Sequence, residues 1–151
     1  MDKTLFLPPF SILSEMNRIT EKQRRKIQAY KELEALAVEM NFTIDAIIVE
    51  GPHDKKTLKI LGFKKPIIKC SRTRLSHIEI ADYVSKNFSK ITILTDFDEE
   101  GRKLNKKLKK HLERKDVKIE ELYRRKFWRL LKEVGILTLE SIYGLKKELF
   151  F

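Results

Sequence analysis

Apolar positions along this chain alternate between a spacing of three to four and unbroken β-branched runs, and each change marks an element. Met16, Ile19, Ile27, Tyr30, Leu33, Ala37 and Met40 recur at helical spacing with a gap at Gln23, which predicts a helix from Ser11 to near Asn41. Thr20 and Gln23 have the spacing of a capping box, so a short helix is expected to hand over to a longer one there. Pro8 and Pro9 break the stretch before it. "TIDAIIVEG" is then a buried-strand run stopped by Gly51. "PHDKKTLKILG" follows as a helix, with Pro52 in its first turn and Gly62 closing it. "KPIIKC" reads as a second strand, and "RLSHIEIADYVSKNF" as a helix whose face is Leu75, Ile78, Ala81 and Tyr83 or Val84. "KITILTD" is a third strand and "EEGRKLNKKLKKHLERK" a helix. "DVKIEEL" holds a short fourth strand, and "YRRKFWRLLKEVG" and "TLESIYGLKKELFF" form two closing helices.

Strands alternating with helices predict an α/β fold with a parallel sheet. The boundary that suggests itself falls near residue 41, dividing a helical extension at 1–41 from an α/β unit with C-terminal helices at 42–151. Functional groups in such sheets collect at the carboxyl ends of strands. Glu50 ends the first strand and Asp96 the third. If those strands are neighbours, their carboxylates converge.

Charge changes the picture next. Lys plus Arg number 33 against 22 Asp plus Glu, a formal net charge of +11 over 151 residues, which favours a polyanionic partner (RNA, DNA or an acidic membrane face, nucleic acid first) over a merely solvated basic surface. Cys70 is the single cysteine, which excludes an intrachain disulfide and a cysteine-rich zinc site and fits a cytoplasmic home. "LFLPPF" is too short and interrupted for a signal core or a membrane span, so no membrane role is expected.

Within this basic chain, Asp96, Asp98, Glu99 and Glu100 crowd into five positions. Two unit charges about 4 Å apart repel by about 4 kcal/mol at an effective dielectric of 20, so something should offset the cluster. A divalent cation is the simplest answer: Mg²⁺ takes oxygen ligands, often one or two carboxylates completed by phosphate and water. The plainer reading is helix capping, with Asp98, Glu99 and Glu100 complementing a helix N-terminus by about 0.3–1 kcal/mol each. A calcium EF-hand loop is excluded by the entering strand and by Lys107 at the twelfth position. Gly101 is expected to allow a tight turn into the helix.

Together, "IIVEGPHD" and "ILTDFDEEG" resemble the Toprim domain, shared by topoisomerases, bacterial-type primases, recombination proteins and several nucleases. Glu50, Gly51 and Asp54 match its Glu-Gly-x-x-Asp motif; Asp96, Asp98, Glu100 and Gly101 match its extended Asp-x-Asp-x-Glu-Gly motif. The resemblance covers roughly residues 42 to 120 and is strongest to small archaeal primase-like or maturase-like members. It implies a Toprim-like, Rossmann-like parallel sheet flanked by helices. It also implies a metal site of Asp96, Asp98 and Glu100 for Mg²⁺, with Mn²⁺ as the alternative, and Glu50 as the proton-transfer residue. Gly51, Asp54 and Gly101 would support that site, Asp54 organising it or only capping its helix. His53 matches nothing the family requires and is expected to face solvent.

Lys55, Lys56, Arg72, Arg74, Arg102 and Lys103 follow the strand ends and are the expected phosphate contacts. Lys106, Lys107, Lys109 and Lys110 read as a solvated helix face. Phe127 and Trp128 lie among Arg124, Arg125, Lys126 and Arg129; aromatics among cations stack bases, while Phe127, Leu130, Leu131 and Val134 have core spacing. Tyr30, Tyr83, Tyr123 and Tyr143 all sit in helical patterns as core, and the chain is too short for a strand-passage gate, which argues against a topoisomerase. The leading expectation is a small Mg²⁺-dependent RNA or DNA nuclease. The alternatives are a non-catalytic nucleic-acid-binding or assembly subunit that keeps the metal site, and a primase-like subunit that needs partners. A homodimer or a larger complex stays open.

Overall fold

The computed structural model describes residues 10–71 and 74–150, with side chains over 21–71 and 74–149. Helix α1 spans Phe10–Met40. It is followed by β1 (Ala46–Val49), α2 (Pro52–Leu61), β2 (Ile67–Lys69), α3 (His77–Asn87), β3 (Lys90–Ile93), α4 (Glu99–Arg114), β4 (Lys118–Ile119), α5 (Leu122–Glu133) and α6 (Ser141–Phe150). The four strands form one parallel sheet in the order β2-β1-β3-β4, with Ile48 opposite Ile68 on one side and Ile93 on the other. This is the expected α/β architecture, a Toprim-like sheet flanked by helices.

All four residues of β1 are buried, because the strand faces a helical layer on both sides. Side chains alternate across a strand. Ile47 and Val49 therefore join a core with Leu33, Met40, Leu58, Phe127 and Ile142 from α1, α2, α5 and α6. Ala46 and Ile48 join a second core with Ile80, Val84, Leu108 and Leu112 from α3 and α4. Burying each such aliphatic side chain is worth about 1.5–3 kcal/mol. From β1 the chain crosses to β2 through α2 on the first layer. From β3 it crosses to β4 through α4 on the second. The direction of winding thus switches between β1 and β3, where α/β sheets open a crevice at their carboxyl ends.

Three expectations are corrected. Helix α1 runs unbroken through residues 20–23, so no handover occurs there; packing of Tyr30, Leu33, Ala37 and Met40 into the first core outweighs a local capping signal. Helix α3 begins one residue after Ser76, which accepts from the Glu79 amide at 3.2 Å as N-cap. Its buried face is Ile80, Ala81 and Val84, while Leu75 (45% exposed) and Ile78 (58%) point to solvent. Of the tyrosines, Tyr30 and Tyr123 are core, but Tyr83 and Tyr143 are exposed. The readings of Pro8 and Pro9, of the side chains of Met16, Ile19 and Thr20, and of Arg72 lie outside the described residues.

Candidate functional site

Glu50 directly follows β1, and Asp96 comes three residues after β3. Since β1 and β3 are hydrogen-bonded neighbours, both side chains reach the switch point. There the Oε1 atom of Glu50 accepts a hydrogen bond from the Asp96 amide at 3.0 Å, tying the two strand ends together. The expected convergence of these acids is present. Asp96 is held further by the Leu139 amide, which donates to its Oδ1 at 3.4 Å from the turn before α6.

Burial and mutual repulsion act on the pair. Desolvation is the largest influence on Asp96, with the Glu50 and Asp98 charges adding to it, and its carboxyl is pushed up to about 6. Glu50 is raised as well, by burial first and then by the Asp98 and Asp54 charges. The folded protein therefore binds a proton at Asp96 more tightly than the unfolded chain does. That contribution to stability is fully present below about pH 4 and is lost as pH rises through about 6. A displacement of this size corresponds to about 3 kcal/mol in a dry site; solvent access to the half-buried carboxyl reduces it to about 1 kcal/mol. In EDTA, wild type is expected to lose this increment relative to Asp96→Asn between pH 4 and pH 7; denaturant melts of both proteins across that range check it, and parallel curves refute it.

Asp98 and Glu100 are placed differently. Asp98 is the N-cap of α4: its Oδ1 accepts from the Gly101 amide at 2.8 Å. The cap commits one of its carboxylate oxygens. Asp98→Ala is expected to lose about 1 kcal/mol, while Asp98→Asn keeps the cap and the stability; equal losses in thermal melts would contradict this assignment. Glu100 is exposed on the first turn of α4. Among the described residues, no group of three or more His, Cys, Asp or Glu side chains is gathered to hold a metal by itself. Asp96 nonetheless feels the Asp98 charge, and two such carboxylates suit a hard cation, since Mg²⁺ is commonly held by one or two carboxylates and completed by water and phosphate.

The supporting residues have identifiable tasks. Asp54 is buried and accepts from the Gly51 amide at 3.0 Å, so it caps α2 while lending its charge to the site. Gly101 is required for space and not for backbone freedom, contrary to the expected tight turn: positive φ occurs among the described glycines at Gly62 and Gly135. A Cβ on Gly101 would lie 1.9 Å from the Asp96 carbonyl oxygen. His53 is exposed, as expected.

Arg124 belongs to the site, although no sequence signal singled it out among its basic neighbours. β4 contributes two residues, and its pairing with β3 ends at Ile91 and Ile119. Beyond that point, the β3 carbonyls need other donors. The Nη1 of Arg124 donates to the carbonyls of Ile93 at 3.3 Å and Thr95 at 2.7 Å, and Nη2 to that of Asp96 at 3.2 Å. Burial lowers the guanidinium to about 10, against the opposing pull of Asp96 and Glu50, so it stays charged at neutral pH beside the acids. Ser71 was also missed; its amide donates to the Glu50 carbonyl at 2.8 Å, and its hydroxyl bonds the same oxygen.

Of the expected phosphate contacts, Lys56, Arg74, Arg102 and Lys103 are exposed and Lys55 is partly buried. Lys103 pairs with Glu99 at 3.3 Å, and the Nζ of Lys56 lies 5.7 Å from the Tyr143 ring centre. Lys106, Lys107 and Lys110 face solvent, whereas Lys109 is drawn to Glu121 at 2.7 Å. No helix among the described residues is long and apolar enough to cross a membrane.

Residues 45–127 match the family model of the Toprim domain. A UPF0292 protein of Thermococcus onnurineus is 36% identical over 116 residues, covering 77% of this chain and 84% of that one. A UPF0292 protein of Methanocaldococcus jannaschii is 30% identical over 105 residues, covering 69% and 80% respectively. Among solved structures, a protein from Aquifex aeolicus superposes with a TM-score of 0.59 at 26% identity, over 73% of this chain and 94% of that one. None of these names specifies a primase or a maturase.

Proposed function

The chain belongs to the Toprim domain family, and on that premise we propose that it is a Mg²⁺-dependent nuclease acting on RNA or DNA. The observation that carries this reading is the contact of Glu50 with the Asp96 amide at 3.0 Å, at the switch point of a parallel sheet in a chain of net charge +11. Asp96 and the uncommitted oxygen of Asp98 would hold Mg²⁺ (or Mn²⁺), with Glu100 joining directly or through water. The ion would polarise the phosphoryl oxygens and make a water easier to deprotonate. Glu50, raised by burial, accepts the proton of the attacking water as its oxygen bonds phosphorus, and returns it to the oxygen that leaves. Arg124 keeps a positive charge behind Asp96 while fixing its backbone. Lys55, Lys56, Arg74, Arg102 and Lys103 flank the pair as phosphate contacts, with Arg72 assigned to the same role from its sequence position.

Labelled single- and double-stranded RNA and DNA are incubated with pure protein in Mg²⁺, Mn²⁺ or EDTA. Metal-dependent cleavage is the expected result. Binding that survives EDTA with no cleavage in either metal overturns the nuclease reading in favour of a non-catalytic binding or assembly subunit. Primer extension in place of cleavage overturns it in favour of a primase-like subunit.

A further inference from the structure

Beside the acid pair, a cleft of about 310 Å³ opens between α4 and α5. Phe97, the residue after Asp96, forms part of its wall together with Trp128, Arg124, Arg125, Arg102 and Asn105. Phe97 stacks on Trp128 with ring centres 5.2 Å apart and planes 22° from parallel, and the Arg124 guanidinium lies 4.7 Å above the Phe97 ring. Arg102 and Arg125 are exposed, and neither takes part in an ion pair among the described residues. Glu121, the acid on the rim, is already held by Lys109 at 2.7 Å, so the cleft is electropositive. The partly buried Asn105 amide has no side-chain hydrogen bond among the described residues and is available to a ligand's polar edge.

Phe97 is buried between Trp128 and the Arg124 guanidinium, so the ring left to meet a ligand is that of Trp128, over which the Lys132 Nζ sits 5.5 Å from the centre. We infer that this cleft is a subsite for one unpaired nucleotide, its base lying against Trp128, its edge on Asn105 and its flanking phosphates on Arg102 and Arg125. The volume is at the lower end of ligand pockets, about 300–1,000 Å³, which suits one nucleotide and is far too small for a duplex. An aromatic ring such as that of Trp128 meets a base only where the base is unstacked. The two unpaired arginines supply the charge complementarity that an apolar ligand would not need. Arg124 lines the cleft and also bonds the Asp96 carbonyl, so a nucleotide seated there adjoins the acid pair. This refinement rests on the phosphodiester reading for the position of the cleaved bond. It names the substrate class as a strand with an unpaired nucleotide beside that bond, whether a single strand, a flap or a loop.

Trp128 is the chain's single tryptophan, so its emission reports occupancy of the cleft directly. The full chain in EDTA is titrated with short single-stranded RNA, single-stranded DNA and blunt duplexes of the same sequences. Total binding is followed by anisotropy of end-labelled strands and cleft occupancy by tryptophan emission with unlabelled ones. Single strands are expected to quench Trp128 in step with binding, and blunt duplexes to bind with quenching at least about fivefold smaller. Trp128→Leu disturbs packing on Phe97, so the decisive variant is Arg102→Ala/Arg125→Ala. It changes exposed side chains, retains the reporter, and should weaken single-strand binding about tenfold more than duplex binding. Single strands that bind with Trp128 emission unchanged, equal quenching by duplexes, or equal losses in the double variant would overturn the subsite. Asp96→Asn separates the two claims: quenching that persists there, or in a wild type that cleaves nothing in Mg²⁺, supports the cleft and leaves the nuclease reading to fall alone. Duplex cleavage without single-strand quenching does the reverse.

Discussion

Gly101→Ala lowers the stability of the fold by about 3 kcal/mol and disables the acid site with it. Helix propensity alone argues the other way, since alanine is better than glycine inside a helix by about 1 kcal/mol. Space decides. A Cβ at residue 101 would sit 1.9 Å from the Asp96 carbonyl oxygen, 2.5 Å from its carbon and 2.8 Å from its Cα. These are backbone atoms, and they are held by Arg124 and by the Glu50 contact. Relief requires the first turn of α4 to withdraw, breaking the bond from the Thr95 hydroxyl to the Gly101 carbonyl, 2.6 Å, and the Asp98 cap, 2.8 Å. Urea unfolding of the two proteins measures the loss. An alanine variant as stable as wild type would mean that α4 does not press on Asp96.

Cleavage falls by about 10³-fold in both Asp96→Asn and Glu50→Gln, for different reasons. Asparagine at 96 retains the volume but removes the charge that would hold Mg²⁺. Glutamine at 50 still offers an oxygen to the Asp96 amide, so the local geometry survives and only the proton-transfer group is lost. Mg²⁺ affinity should therefore drop in the first variant and change little in the second. Metal-free nucleic-acid binding should be unchanged or tighter in both, because each removes a negative charge near the bound strand. Gel-based cleavage rates with binding measured in EDTA separate these effects. Either variant cleaving at the wild-type rate removes its residue from the proposed chemistry.

Element order and the placing of Glu50 and Asp96 at strand ends were legible in the sequence because both rest on local signals. β-branched runs ending in a single acid mark strands whose carboxyl ends lie at the crevice. The order of the strands could not be read from periodicity, although the family resemblance implied a fold in which the two acids meet. What was not legible depends on tertiary packing. Helix α3 carries apolar residues on two faces, and only the docked sheet selects Ile80, Ala81 and Val84 over Leu75 and Ile78. Arg124 looks like one cation in "YRRKFWR"; its task exists because β4 is two residues long and leaves β3 carbonyls to be paired. Gly101 was expected to supply backbone freedom, whereas it makes room for Asp96. Asp98 carried two competing readings, and the structure shows the cap.

The proposed binding of Mg²⁺ by Asp96 and Asp98, beside Glu50, is tested most directly by thermal melts of wild type and Asp96→Asn against Mg²⁺ concentration. For millimolar affinity, raising Mg²⁺ to about ten times the dissociation constant stabilises the folded state by about 1.4 kcal/mol, a rise of about 4 °C for a chain of this size. Wild type should show that rise and Asp96→Asn should not. In EDTA, Asp96→Asn should melt at or above wild type, because the buried, crowded carboxyl pushed up to about 6 is a liability at neutral pH. A wild type unmoved by millimolar Mg²⁺, together with an Asp96→Asn variant that melts lower in EDTA, would contradict the account.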